Sequence, residues 1–172
     1  MDRHVVLVGL PGSGKSTVAP LVADALGIPF VDVDGVIVRR MGMPVERIFG
    51  EFGEARFREL EREAMADLLA GPVSVLAPGG GWASQPGNIE AVKERGLIVY
   101  LSVPPATALA RALEGTERPL LAGGEGLTRM TALLLEREGH YMQAALTVDN
   151  QGDDPRVAAA EIVRWIRRGR LD

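Results

Sequence analysis

Cysteine is absent from the chain, which rules out a disulfide framework and a thiolate metal site. A surplus of positive charge is also missing. The formal net charge of −4 at pH 7 argues against a general nucleic-acid or membrane-surface role. No uninterrupted apolar run approaches the length of a membrane span. The N-terminus leads straight into an apolar β-forming run, which leaves no room for a signal peptide, so a cytoplasmic location is expected. Lysine is scarce: Lys15 and Lys93 stand against seventeen arginines.

What is present is ordinary in bulk. A length of 172 residues, 47% hydrophobic and 24% charged, suits one domain with a sizeable core. We see neither internal repeats nor an interdomain linker, and no heptad or long apolar patch that would call for more than a monomer.

The organising stretch is Gly9-Leu10-Pro11-Gly12-Ser13-Gly14-Lys15-Ser16-Thr17. Its spacing is that of the P-loop, G-x-x-x-x-G-K-S, and it lies between a strand-like run at 5–8 and a helical stretch at 18–26, the context the motif requires. The glycines let backbone N–H groups close around a phosphate chain, and the following helix presents its positive end to the same anion. Gly12, Ser13, Gly14, Lys15, Ser16 and Thr17 are therefore the expected nucleotide-binding residues. Lys15 is placed to reach the β- and γ-phosphates and Ser16 to ligate Mg²⁺. In a chain that otherwise uses arginine, a lysine here suits a point-charge contact with phosphate. A nucleoside triphosphate is the expected ligand.

Strand signals at 5–8, 30–34, 73–77, 97–101 and 146–148 alternate with helical ones at 18–26, 36–41, 53–69, 88–95, 106–113, 128–141 and from Pro155 through Trp165, with a further helical turn at 44–49. Gly27 and Gly42 are placed as helix stops. Phe57, Leu60, Ala64 and Leu68 give the helix at 53–69 one buried stripe. This alternation implies an α/β three-layer sandwich around a five-stranded parallel sheet. Ligands on such sheets bind outside the carboxyl ends of the strands. The P-loop, the carboxylates Asp32 and Asp34, and the turn Gly79-Gly80-Gly81 are all expected on that edge.

The strand at 73–77 carries no acidic residue, so the usual second magnesium-side carboxylate is missing from it. Asp32 is the natural replacement, acting through a bound water, although a simple turn carboxylate fits the same position. Asp32 and Asp34, two residues apart on a strand, are expected on one face. Asp34 is positioned to accept a hydrogen bond from an attacking hydroxyl and help remove its proton. Arg58 and Arg137 are candidates to clamp an acceptor carboxylate. The alternative for Arg58 is an ordinary helix-surface ion pair with Glu54 and Glu61.

Taken together, these pieces resemble the shikimate kinase family along most of the chain. The matching segments are GLPGSGKST, DVD at 32–34, IFGEFGEARFRELE at 48–61, GGG at 79–81, RPLL at 118–121 and REGHY at 137–141. The resemblance implies a P-loop kinase fold with sheet order 2-3-1-4-5 and ATP-dependent phosphorylation of the 3-hydroxyl of shikimate in aromatic amino-acid biosynthesis. It implies an acceptor-binding segment at about 33–61, with Asp34 on the acceptor hydroxyls. Arg58, Gly80 and Arg137, together with the neighbouring glycines Gly79 and Gly81, would hold shikimate, and Phe49 and Phe57 would line its ring. It further implies a mobile lid at about 113–126 carrying Arg118, which would reach the ATP phosphates during catalysis, and an adenine pocket at Arg111 and Pro155. One residue departs from the pattern: Trp82 follows the triple glycine where the family usually has a small side chain. An indole turned into the pocket would point to another polyhydroxy-acid acceptor such as gluconate. An indole packed under a helix, with its N–H on a backbone carbonyl, would leave shikimate as acceptor. A regulatory protein that binds ATP without transfer is a third reading, which the intact Lys15, Ser16, Asp34 and Arg118 oppose.

Overall fold

The structure is a computed structural model, and it describes residues 2–114 and 125–169. Its central strand, β1 (His4–Val8), is buried at every position, as its unbroken apolar run requires of an inner parallel strand. Around it stand β2 (Phe30–Asp32), β3 (Val75–Ala77), β4 (Gly96–Ser102) and β5 (Leu146–Asp149). All pairings are parallel and the order is β2-β3-β1-β4-β5.

Alternation along β1 divides the core in two, because successive side chains leave a strand on opposite faces. Val5 and Leu7 pack with α1 (Lys15–Leu26) and α7 (Pro155–Arg168). Val6 and Val8 face α2 (Val33–Met41), α3 (Val45–Ala70), α4 (Asn88–Lys93), α5 (Pro105–Glu114) and α6 (Gly126–Tyr141). The result is the expected three-layer sandwich.

Local boundaries depart from the sequence reading in instructive places. β2 stops at Asp32, and Asp34 lies in the first turn of α2, not on a strand beside Asp32. A carboxylate there is favoured by the positive end of the helix. β3 begins at Val75, two residues later than expected. The segments expected at 44–49 and 53–69 form one element with a break at Gly53, whose φ of 81° and ψ of 169° only glycine adopts without strain. The buried stripe of α3 runs through Phe57, Leu60, Glu61, Ala64, Met65 and Leu69, so a carboxylate occupies a core position and Leu68 is only half-buried. A short 3₁₀ turn, Trp82–Ser84, follows the triple glycine. Among the described residues no helix is long and apolar enough to cross a membrane.

At the N-terminal end of the sheet His4 is 3% exposed, and its Nδ1 accepts the Ser74 backbone N–H at 3.2 Å. Burial pushes its pKa below the usual histidine range, against the opposing pull of backbone hydrogen bonds. The unfolded chain therefore takes up a proton at a pH where the folded chain does not, and stability falls as pH drops below about 6.5. A single group contributes at most about 1.4 kcal/mol per pH unit to this slope. Chemical denaturation of wild type and His4→Gln between pH 7.5 and 5.5 checks this, the variant being expected to show the flatter profile.

Candidate active site

The parallel sheet brings the functional residues to the carboxyl ends of its strands. Beyond β1 the P-loop folds tightly on its surroundings. A Cβ on Gly12 would collide with the Ala108 carbonyl, and one on Gly14 with the Asn150 side chain. Lys15 Nζ donates to the Gly9 and Leu10 carbonyls at 2.8 and 2.9 Å, which holds its ammonium across the mouth of the loop. Asn150, at the end of β5 and nearly buried, donates from Nδ2 to the Ser13 carbonyl at 2.8 Å.

Arg111 donates from Nη1 to the Asn150 carbonyl and from Nη2 to the Gly152 carbonyl, both at 2.7 Å. These bonds fix its guanidinium on the rim of a cleft of about 560 Å³ that Gly14, Thr17 and Pro155 also line. The two residues expected at an adenine pocket thus share one cavity with the P-loop.

A second cleft of about 450 Å³ shares Gly14, Thr17 and Arg111 with the first. Its lining gathers Lys15, Ser16, Asp32, Asp34, Gly79 and Gly80. Asp32 and Asp34 therefore meet in one cavity although they belong to different elements. No cluster of three or more His, Asp or Glu that could cage a metal occurs among the described residues. A hydroxyl and one carboxylate facing the phosphate loop suit Mg²⁺, which keeps its waters and is held largely through substrate phosphates.

The triple glycine is the point of closest packing. A Cβ on Gly79 would lie 2.8 Å from Glu61 Oε1 and 3.4 Å from Asp34 Oδ1. On Gly80 it would lie 2.9 Å from Pro11 Cδ, and on Gly81 it would strike the Arg58 guanidinium. Each glycine admits a different neighbour: the carboxylates, the P-loop and the arginine. Arg58 is largely buried, its Nη1 paired with Glu61, and its Nη2 reaches Glu54 at 3.3 Å. Its ion-pair partners are thus the two expected for a surface arginine, but Glu61 is fully buried. Burial raises the Glu61 pKa, with Arg58 opposing and Asp34 adding to the rise.

Phe57 is buried behind this pair, with its ring centroid 5.6 Å from Arg58 Cζ and 4.6 Å from the Phe49 ring. Phe57 backs Arg58, Phe49 packs on Phe57, and neither lines the 450 Å³ cleft. Trp82 is 1% exposed and packs into the core on the α6 side, so the indole does not occupy the pocket. Its Nε1–H finds no partner among the described residues, contrary to the expected bond with a carbonyl. Arg118, the RPLL segment and most of the proposed lid at 113–126 lie outside the described residues.

Arg137 on α6 reaches the hydroxyl of Tyr141, one turn further along. Tyr141 is buried and its hydroxyl donates to the Gly80 carbonyl at 2.6 Å. Desolvation pushes its pKa up to about 12, with Arg137 opposing. The sequence reading gave Glu61 only as a surface ion-pair partner of Arg58 and assigned no role to Tyr141 or Asn150. Glu61 could have been found as a carboxylate on the apolar stripe of α3, three residues after Arg58, and Tyr141 as an aromatic four residues after Arg137.

Comparison with known proteins agrees with this geometry. The family model described as shikimate kinase matches residues 11–167. A shikimate kinase from Moorella thermoacetica is 41% identical over 94% of this chain and 93% of its own. One from Geobacter sulfurreducens is 40% identical, covering 96% and 91%. The solved shikimate kinase of Acinetobacter baumannii in complex with shikimate superposes with a TM-score of 0.92 at 34% identity, over 99% of this chain and 96% of that one. With a family model matched over 11–167, relatives about 40% identical along nearly its whole length and the same fold as a solved member, the chain belongs to the shikimate kinase family.

Proposed function

We propose that this protein transfers the γ-phosphoryl group of ATP to the 3-hydroxyl of shikimate. The observation that carries this reading is one cleft lined by Lys15, Ser16, Asp34 and Gly80, with the buried Arg58 guanidinium behind its glycine wall. ATP would lie with its phosphates on the P-loop and its adenine between Arg111 and Pro155. Mg²⁺, held through Ser16 and a water on Asp32, would neutralise phosphate charge when bound. The segment 33–61 then supplies the acceptor side.

On this reading the shikimate carboxylate meets Arg58 and Arg137. Glu54 is an exposed partner of Arg58 at 3.3 Å, an ion pair of small worth that an incoming carboxylate can replace on Nη2. Glu61 stays on Nη1 and keeps the guanidinium in place. The acceptor hydroxyl donates to Asp34, which takes its proton as the new P–O bond forms and the bond to ADP breaks. Lys15, and Arg118 by resemblance, balance charge that gathers on the transferred group. We assign the enzyme to the cytoplasm as a monomer. Buried Trp82 removes the motive for a gluconate-type acceptor.

ADP release with Mg·ATP tests the reaction directly. Strong stimulation by shikimate and none by gluconate is expected; stimulation by gluconate alone would overturn the acceptor assignment. Asp34→Asn is expected to lower turnover by at least about 100-fold with ATP binding nearly intact, as read by steady-state kinetics and calorimetry. Arg58→Ala is expected to weaken shikimate binding by about 2–5 kcal/mol in the same calorimeter, and normal affinity would remove Arg58 from the clamp.

A further inference from the structure

Three elements meet at the Gly80 peptide. The missing Cβ of Gly80 makes room for Pro11 of the P-loop, and the Gly80 carbonyl accepts the Tyr141 hydroxyl at 2.6 Å. Tyr141 itself cannot move freely. Its ring is fully buried and stacks on Tyr100 of β4, with centroids 5.1 Å apart and planes 27° apart. Such a pair fixes ring orientation beyond what burial alone would do. Arg137 sits one helical turn earlier on the same face of α6 and neighbours the same hydroxyl.

We propose that Tyr141 is a positioning residue for the acceptor, whose hydroxyl ties the Gly80 carbonyl to α6 and so holds the glycine turn and Arg137 in one frame. The stack on Tyr100 anchors the ring to the sheet, and the hydroxyl passes that position to the turn. Gly79 and Gly81 then keep their contacts with Glu61, Asp34 and Arg58, the groups assigned to the acceptor. The nucleotide side needs no such tether, because Asn150 and Arg111 fix the P-loop and its adenine rim independently. Loss of the Tyr141 hydroxyl is therefore a defect in acceptor binding and not in ATP binding.

This inference rests on the shikimate reading for its substrate, and Tyr141→Phe tests it. The variant keeps the ring and the stack and removes the one donor. KM for shikimate is expected to rise about tenfold, with KM for ATP within about twofold of wild type, as fits a buried carbonyl left without its donor. Tyr100→Phe, which keeps the stack and the Gly80 bond, is the control and is expected to leave both constants unchanged. Amide hydrogen exchange over 79–85 in the ligand-free enzyme is expected to quicken in Tyr141→Phe alone. That readout needs no substrate, so it decides the tether even if shikimate proves not to be the acceptor. Unchanged exchange over 79–85 would overturn the proposal, as would an equal rise of both KM values or the same shikimate KM in all three proteins.

Discussion

The close approach of three chain segments at the triple glycine is the constraint on which the site depends. β3 delivers the turn to the edge of the sheet beside the P-loop, and the Arg58–Glu61 pair of α3 presses against it from the other side. Any side chain at 79, 80 or 81 would have to displace a carboxylate, the P-loop proline or a guanidinium. Glycine costs about 0.5–1 kcal/mol of extra conformational entropy per residue. Here that cost is matched by contacts available only to a backbone without Cβ.

The buried pair has its own logic. A carboxylate fully removed from water is expensive, and removing one member of such a pair typically costs about 3–5 kcal/mol. Glu61 is nevertheless placed on the apolar stripe of α3, between Leu60 and Ala64. Its position makes sense if the purpose is to hold the Arg58 guanidinium at one spot against Gly81. A flexible surface arginine would lose side-chain entropy on meeting each ligand; one already fixed by Glu61 and backed by Phe57 does not. The same carboxylate lies near Asp34, so the two acids and the arginine form one electrostatic unit at the wall of the cleft.

Much of this was legible in the sequence, and the misses share a cause. The continuous apolar run at 5–8 and the P-loop between strand and helix carried the sheet, its parallel sense and the nucleotide edge. Asp34 was expected on a strand because the D-V-D pattern alternates, yet β2 ends at Asp32 and the helix starts at once. A period-two pattern over so short a run does not distinguish a strand from a strand ending in a helix. Glu61 was expected on the helix surface because periodicity arguments count apolar residues, and a carboxylate on the buried stripe reads as a gap. Trp82 was open between pocket and core, since its direction depends on the 3₁₀ turn that follows the glycines. Tyr141 falls on the face of α6 that carries Arg137, but its partner is a backbone carbonyl 61 residues earlier, and a sequence does not display that contact.

Phosphoryl transfer places its demands on geometry more than on covalent chemistry, since attacking and leaving oxygens must stay roughly in line. The fold meets that demand by making the wall of the acceptor side rest on the floor of the nucleotide side. Gly80 packs on Pro11, so the distance from the P-loop to the turn is set by van der Waals contact and not by a flexible linker. On the far side of the same loop, Asn150 holds the Ser13 carbonyl across 137 residues of sequence. The P-loop is thus held from β5 by a hydrogen bond, and the glycine turn that follows β3 rests against it through Pro11. A displacement of either strand would change the separation between Lys15 and Asp34, which is the dimension the reaction can least tolerate. The parallel order β2-β3-β1-β4-β5 places β1 between these two braces, with one strand between it and β2 or β5 on either side. The topology therefore supplies the rigidity that the chemistry requires.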